Sequence, residues 1–197
     1  MYPNPQIYTN LKCVYIHIPK TAGTSIETCL KNENDINQVV GGHSTFQALM
    51  HYKETIMCNL FTFTIVRNPY DRLLSAYKYM LKMETNEILG NEEIKKCENF
   101  KDFVMNYLDE TTILSNMHLK PQYEFIVYQG KISVDYIGKY EHLVKDWKVI
   151  CKKLRKDIIL PWLNKSNTEH YSGFYDDEMK NKVKKLYYMD FTMFNYV

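Results

Sequence analysis

Apolar positions along this chain fall into two rhythms. Residues 12–18 (KCVYIHI) form a short β-branched and aromatic run halted by Pro19, and residues 60–66 (LFTFTIV) carry no charge at all. The first run predicts a buried strand entering a turn. The second is apolar throughout instead of alternating, which predicts a central parallel strand covered on both faces. Helical spacing follows each strand. Ile26 and Leu30 stand four apart before the polar run KNENDINQ, whose residues 32–38 read as loop. Beyond the second strand, Asn68 as N-cap and Pro69 at the first helical position open a helix. Its spacing puts Leu74, Tyr77 and Leu81 on one face, and Asp71, Ser75, Lys78 and Lys82 on another.

Between these units, Ser44-Thr45-Phe46-Gln47 has the S-x-x-Q form of a capping box and leads into Ala48, Leu49 and Tyr52, so His43 sits just before a helix start. Residues 84–98 are polar and charged, a surface excursion, after which Phe100, Phe103, Val104, Tyr107 and Leu108 follow helical spacing. A third pair consists of a short strand at 134–137 ended by Gly138 and an amphipathic stripe of Leu143, Trp147, Ile150 and Leu154. Residues 157–173 read as loop, and Asp176-Asp177-Glu178 opens a last helix with acidic residues at the positive end of its dipole. Strands repeatedly followed by helices predict an α/β fold. We expect a single domain over residues 1–197, with a central parallel sheet flanked by helices and a ligand site beyond the strands' C-terminal ends.

Composition narrows the function classes. Twenty-five Lys and Arg against 23 Asp and Glu leave a net charge of +2, so anion binding has to come from local placement, and a nucleic-acid partner is disfavoured. The longest apolar stretch, 58–66, is far too short to span a membrane, and MYPNPQIYTNLK lacks the basic-then-apolar order of a signal peptide, which reads as soluble and unexported. Cys13, Cys29, Cys58, Cys97 and Cys151 form no C-x-x-C, so reduced thiols are expected, with neither a zinc site nor a disulfide framework.

The informative chemistry lies in two βα turns. Pro19-Lys20-Thr21-Ala22-Gly23-Thr24-Ser25 can aim several backbone N–H groups at an anion, Gly23 permits a left-handed backbone, and Lys20 with the hydroxyls adds charge and donors. It is not a Walker A loop, because Lys20 precedes the one glycine instead of following a second. Arg67 ends the apolar strand, with Ser75 eight residues on in the following helix. Such an arginine can fork onto phosphate oxygens, and the hydroxyl can add a donor. Two anion sites on neighbouring units imply a ligand with two separated anionic groups.

Together, YIHIPKTAGTSI resembles the 5′-phosphosulfate loop of the sulfotransferase superfamily, and TIVRNPYDRLLSAY resembles its 3′-phosphate motif. The resemblance continues through GGHST, HLKPQYEF, VDYIGKYEHLVKDWKVICKKL and LPWLNKSN to YDDEMKNKVKKLYYMDF, nearly the whole chain. The nearest branch is that of the carbohydrate sulfotransferases, which include the chondroitin, dermatan, HNK-1 and uronyl 2-O enzymes. The resemblance implies a fold similar to the nucleotide kinases in its core. It also implies PAPS (3′-phosphoadenylyl sulfate) as sulfuryl donor, PAP as product and a hydroxyl of a carbohydrate or glycoconjugate as acceptor; because a sulfuryl group carries less negative charge than a terminal phosphoryl group and no carboxylate pair is evident after the second strand, no metal is expected.

By the same resemblance, Lys20, Thr21, Ala22, Gly23, Thr24 and Ser25 hold the 5′-phosphosulfate, Arg67 and Ser75 hold the 3′-phosphate, and Lys165 and Ser166 close over the nucleotide. Lys20 stabilises the leaving phosphate and His43 is the general base. His118, Lys120 and Gln122 are acceptor-contact candidates, and His17 reads as a packing residue. The animal branch's membrane anchor and luminal stem have no counterpart in the sequence, so a cytoplasmic setting in a microbe or virus is expected. The rivals are a P-loop-like ATP-dependent kinase and a non-catalytic nucleotide- or glycan-binding module.

Overall fold

The computed structural model describes residues 7–33, 43–48, 50, 59–83, 91–161 and 170–197. The chain divides into two compact units, one of residues 1–67 and 122–165, the other of residues 68–121 and 166–197. The strands are β1 (Ile7–Tyr8), β2 (Cys13–Ile16), β3 (Phe61–Val66), β4 (Val127–Tyr128), β5 (Lys131–Ile132) and β6 (Tyr136–Lys139). The helices are α1 (Gly23–Asn32), α2 (Pro69–Lys82), α3 (Asn91–Lys96), α4 (Phe100–Asp102), α5 (Glu110–Ser115), α6 (Tyr123–Ile126), α7 (Leu143–Leu154), α8 (Asp177–Leu186) and α9 (Tyr188–Met193).

In the first unit the sheet runs β1-β2-β3-β6, with β3 parallel to both neighbours and β1 antiparallel at the edge. The uninterrupted apolar run therefore occupies the centre, as its lack of alternation requires. Register pairs Tyr15 with Phe63 and Phe63 with Tyr136, so these aromatics line one face. The Tyr15 and Phe63 rings stack at 5.2 Å. Against that face pack Ile26, Cys29 and Leu30 of α1 and Leu143, Trp147, Ile150 and Leu154 of α7. Val14, Ile16, Thr64 and Val66 on the opposite face are buried too.

Polar side chains pin β6 at both ends. The Asp135 carboxylate accepts from the Thr62 N–H (2.7 Å) and hydroxyl (2.9 Å), and Asp146 of α7 accepts from the Lys139 N–H (2.6 Å) and the Tyr136 hydroxyl (2.9 Å). The strand runs through Gly138 instead of ending there. A β-carbon at that position would lie 2.6 Å from Ile65 Cδ1, so close strand packing explains the glycine. The β4–β5 hairpin, with Gln129 and Gly130 both at positive φ, was not expected from the sequence.

The second unit is helical. Its core gathers Leu73, Leu74, Tyr77 and Met80 of α2, Phe100, Phe103 and Val104, and Met179, Val183 and Phe191 of α8 and α9. Asn68 caps α2 by accepting from the Tyr70 N–H (3.0 Å), with Pro69 at its first position. Leu81, expected on the inner face, is 38% exposed, because the buried stripe centres on Leu73, Tyr77 and Met80. The expected helix from Phe100 becomes a π-turn over Phe103–Tyr107, in which the Leu108 N–H donates to the Phe103 carbonyl. Cys13, Cys29 and Cys151 are buried free thiols, Cys97 is partly buried and Cys58 lies outside the described residues. No described helix is long and apolar enough to cross a membrane.

Candidate functional site

After β2 the chain turns sharply into α1. Lys20 (φ 69°) and Ala22 (φ 73°) both take the left-handed conformation, at a cost of order 1–3 kcal/mol each for a residue with a side chain. Gly23, expected to supply that conformation, is not among the residues with positive φ. The reason for glycine is instead proximity: a β-carbon there would lie 1.7 Å from His17 Nε2. Left- and right-handed residues in succession turn their N–H groups to one side, and those of Gly23 and Thr24 precede any carbonyl that α1 can offer. The first turn of α1 carries no acidic residue, unlike those of α2 and α8, so no carboxylate of that turn offsets the positive end of its dipole. Thr21 is fully buried and its hydroxyl donates to the Ile18 carbonyl (2.8 Å), closing the loop on itself. Ser25 is buried and Thr24 exposed.

Arg67, 6% exposed, lies just past β3. Its backbone is gripped on both sides by Gln122, whose Oε1 accepts from the Arg67 N–H (2.8 Å) while its Nε2 donates to the Arg67 carbonyl (2.9 Å). Gln122, expected at the acceptor, thus has its side-chain amide engaged in fixing the arginine. The guanidinium lies over the Tyr140 ring at 4.2 Å and donates from Nη1 to the Lys20 carbonyl (3.1 Å). The turn and Arg67 of the second motif therefore meet within one unit. Ser75 is half-buried on α2 of the second unit.

His43 lies against the start of the same loop. Its Nδ1 is 3.1 Å from the His17 carbonyl oxygen, which can only accept, so Nδ1 carries a proton and, in the neutral imidazole, Nε2 holds the lone pair. The His43 and His17 rings meet edge-on, centroids 4.2 Å apart. His17 Nδ1 in turn bonds Glu27 Oε1 of α1 at 2.5 Å. Residues 46–48 are helical, and Thr45, one position after the expected Ser44, caps them by accepting from the Ala48 N–H (3.2 Å).

Within the second unit, Arg72 is 2% exposed and donates to the carbonyls of His118 (3.2 Å), Leu119 (3.5 Å) and Lys120. It fixes the segment that carries two of the expected acceptor contacts. His118 packs on Tyr79 with centroids 5.1 Å apart, and Lys120 Nζ donates to the Leu114 carbonyl (2.7 Å). Lys165 and Ser166 lie outside the described residues. No group of three His, Cys, Asp or Glu placed to hold a metal occurs among the described residues. Glu27, Arg72 and the clamp role of Gln122 were missed at the sequence level. Each acts through a partner distant in sequence, and only the burial of a charged or amide group could have flagged them.

A parallel sheet whose β2 strand enters a turn with two left-handed residues, and whose central strand ends in an arginine bonded to that turn, brings the two candidate anion-binding features together in one α/β unit. The pattern of the sulfotransferase family matches residues 7–197, and the chain belongs to that family. Carbohydrate sulfotransferase 11 of Danio rerio is 24% identical over 167 residues, covering 70% of this chain and 47% of the relative. The chain spans about half the length of that protein.

Proposed function

We propose that the protein transfers a sulfuryl group from PAPS to a hydroxyl of a carbohydrate or glycoconjugate. The observation that carries this reading is the junction of the turn at residues 20–24 with Arg67, beside a histidine whose Nδ1 proton is directed to the His17 carbonyl. The sulfotransferase family supports the donor, and the carbohydrate sulfotransferase relative supports the acceptor class.

In this reading the N–H groups of Gly23 and Thr24, with the Lys20 ammonium, stabilise charge on the leaving phosphate as its bond to sulfur breaks. The new bond forms between sulfur and the acceptor oxygen, and the acceptor's proton passes to His43 Nε2. Arg67 takes the 3′-phosphate, and Ser75, Lys165, Ser166, His118 and Lys120 remain contact residues proposed from the motif resemblance alone. A sulfuryl group carries less negative charge than a terminal phosphoryl group, so Lys20 and the turn suffice without a divalent ion.

Titration calorimetry with PAP and AMP tests the nucleotide assignment. A buried arginine left without its anion forfeits about 1–3 kcal/mol, so AMP is expected to bind roughly ten- to a hundredfold more weakly than PAP. Equal affinities would overturn the assignment, and transfer abolished by EDTA and restored by Mg²⁺ would favour a kinase-like protein.

A further inference from the structure

We infer that Glu27 and His17 form a positioning pair that aims His43. The kinetic consequence rests on the transfer reading above. The His17 and Glu27 side chains are only 11% and 15% exposed. A carboxylate so far from water costs several kcal/mol unless it is partnered, whereas a phenyl ring at position 17 would fill the same space without needing one. The pair therefore does more than pack. The Glu27 bond at Nδ1 fixes the imidazole plane and presents the Nε2 edge to Gly23, where no β-carbon fits. Behind it, Tyr15 stacks at 5.6 Å and 17°, which leaves the ring little freedom to swing.

One residue then sets both variables of the proposed base. The His17 carbonyl determines which His43 nitrogen holds the proton, and the His17 ring, meeting His43 at 68°, sets which way that imidazole faces. Glu27 stands one helical turn after Gly23, so the helix that presents the N–H cradle also carries the group that orients the histidines. Lys31 Nζ, 3.7 Å from the other Glu27 oxygen and half exposed, balances the carboxylate from the solvent side. No proton or bond changes hands in the pair.

The test compares wild type with Glu27→Ala, Glu27→Gln and the volume-keeping double variant His17→Phe/Glu27→Leu. It reads long-range ¹H–¹⁵N spectra of the His43 ring, PAP affinity by calorimetry, melting temperature, and kcat with labelled PAPS. In Glu27→Ala the released His17 ring no longer holds the His43 imidazole against the His17 carbonyl, so the two His43 nitrogens are expected to move towards an averaged tautomer, with kcat falling about 10- to 100-fold while PAP affinity holds. Glu27→Gln, whose amide oxygen still accepts from Nδ1–H, is expected to restore both readouts. If Glu27→Ala does not fold, the double variant keeps the volume without the bond, and its kcat is expected to fall at an unchanged melting temperature. Wild-type His43 spectra and kcat in these variants, or losses that only track the folded fraction, would overturn the pairing. A wild type that transfers no sulfuryl group while its His43 spectrum still depends on Glu27 would sink the transfer reading and leave the positioning pair standing.

Discussion

Gly23→Ala probes the tightest contact in the loop. Inside a helix, alanine ordinarily stabilises by roughly 0.5–1 kcal/mol over glycine, and at the first position of α1 the gain is at most of that order. Here the new methyl would fall 1.7, 2.0 and 2.3 Å from Nε2, Cδ2 and Cε1 of His17, so the ring has to leave. Its departure breaks the 2.5 Å bond to Glu27, a hydrogen bond to a charged group worth about 1.5–3 kcal/mol. Lys31, already within 3.7 Å, recovers only part of this from solvent. The net expectation is a loss of about 1–3 kcal/mol, or roughly 2–10 °C in melting temperature for a chain of this size. Calorimetric melts of Gly23→Ala, His17→Ala and the double variant form a cycle. In the His17→Ala background the methyl has room, so Gly23→Ala should stabilise there, and the two changes should couple by more than about 1 kcal/mol. A Gly23→Ala protein that melts higher than wild type, with no coupling to position 17, would refute the contact.

Ala22→Gly releases a left-handed alanine and is expected to raise stability by about 0.5–1 kcal/mol in denaturant melts, after allowance for the freer unfolded chain; a loss would mean that the conformation carries no strain. Gln122→Leu leaves the buried N–H and C=O of Arg67 without their clamp and is expected to cost about 2–4 kcal/mol and to weaken PAP binding, whereas a wild-type calorimetric profile would argue that the clamp does not set the arginine. Asp102, Asp109 and Asp176 are all held below the usual carboxylate range, Asp102 chiefly by the Asn106 amide, Asp109 by the Thr112 N–H and Asp176 by Lys101. Their stabilising contribution is present above the unfolded carboxylate value, and the unfolded chain takes up protons first on acidification, so stability should fall with pH below about 4. Asp176→Asn should flatten part of that slope, and an unchanged slope would show that the cap and the Lys101 pair contribute nothing to it.

Local signals carried much of the fold. The apolar run before Arg67, with Asn68 and Pro69 behind it, announced β3 and the start of α2 because strand burial and helix capping are decided within a few residues. The two-residue β1 and the β4–β5 hairpin are too short to leave a period, and helical spacing cannot distinguish a π-turn at Phe103–Tyr107 from α-helix. In the candidate site, the loop and Arg67 stood out as candidates from their places after two strands, and the motif resemblance marked His43. What holds them was not legible. Gln122 reaches Arg67 across 55 positions, and the need for Gly23 comes from a ring six residues earlier rather than from its own φ. Such contacts are properties of packing, not of spacing.

Single-turnover transfer from ³⁵S-labelled PAPS to a panel of carbohydrate acceptors tests most directly the proposed sulfuryl transfer with His43 as base. Wild type is expected to label an acceptor, and His43→Ala to do so about 10²- to 10⁴-fold more slowly at unchanged PAP affinity and melting temperature. Absence of labelled product from wild type across the panel, or a His43→Ala variant as fast as wild type, would contradict it.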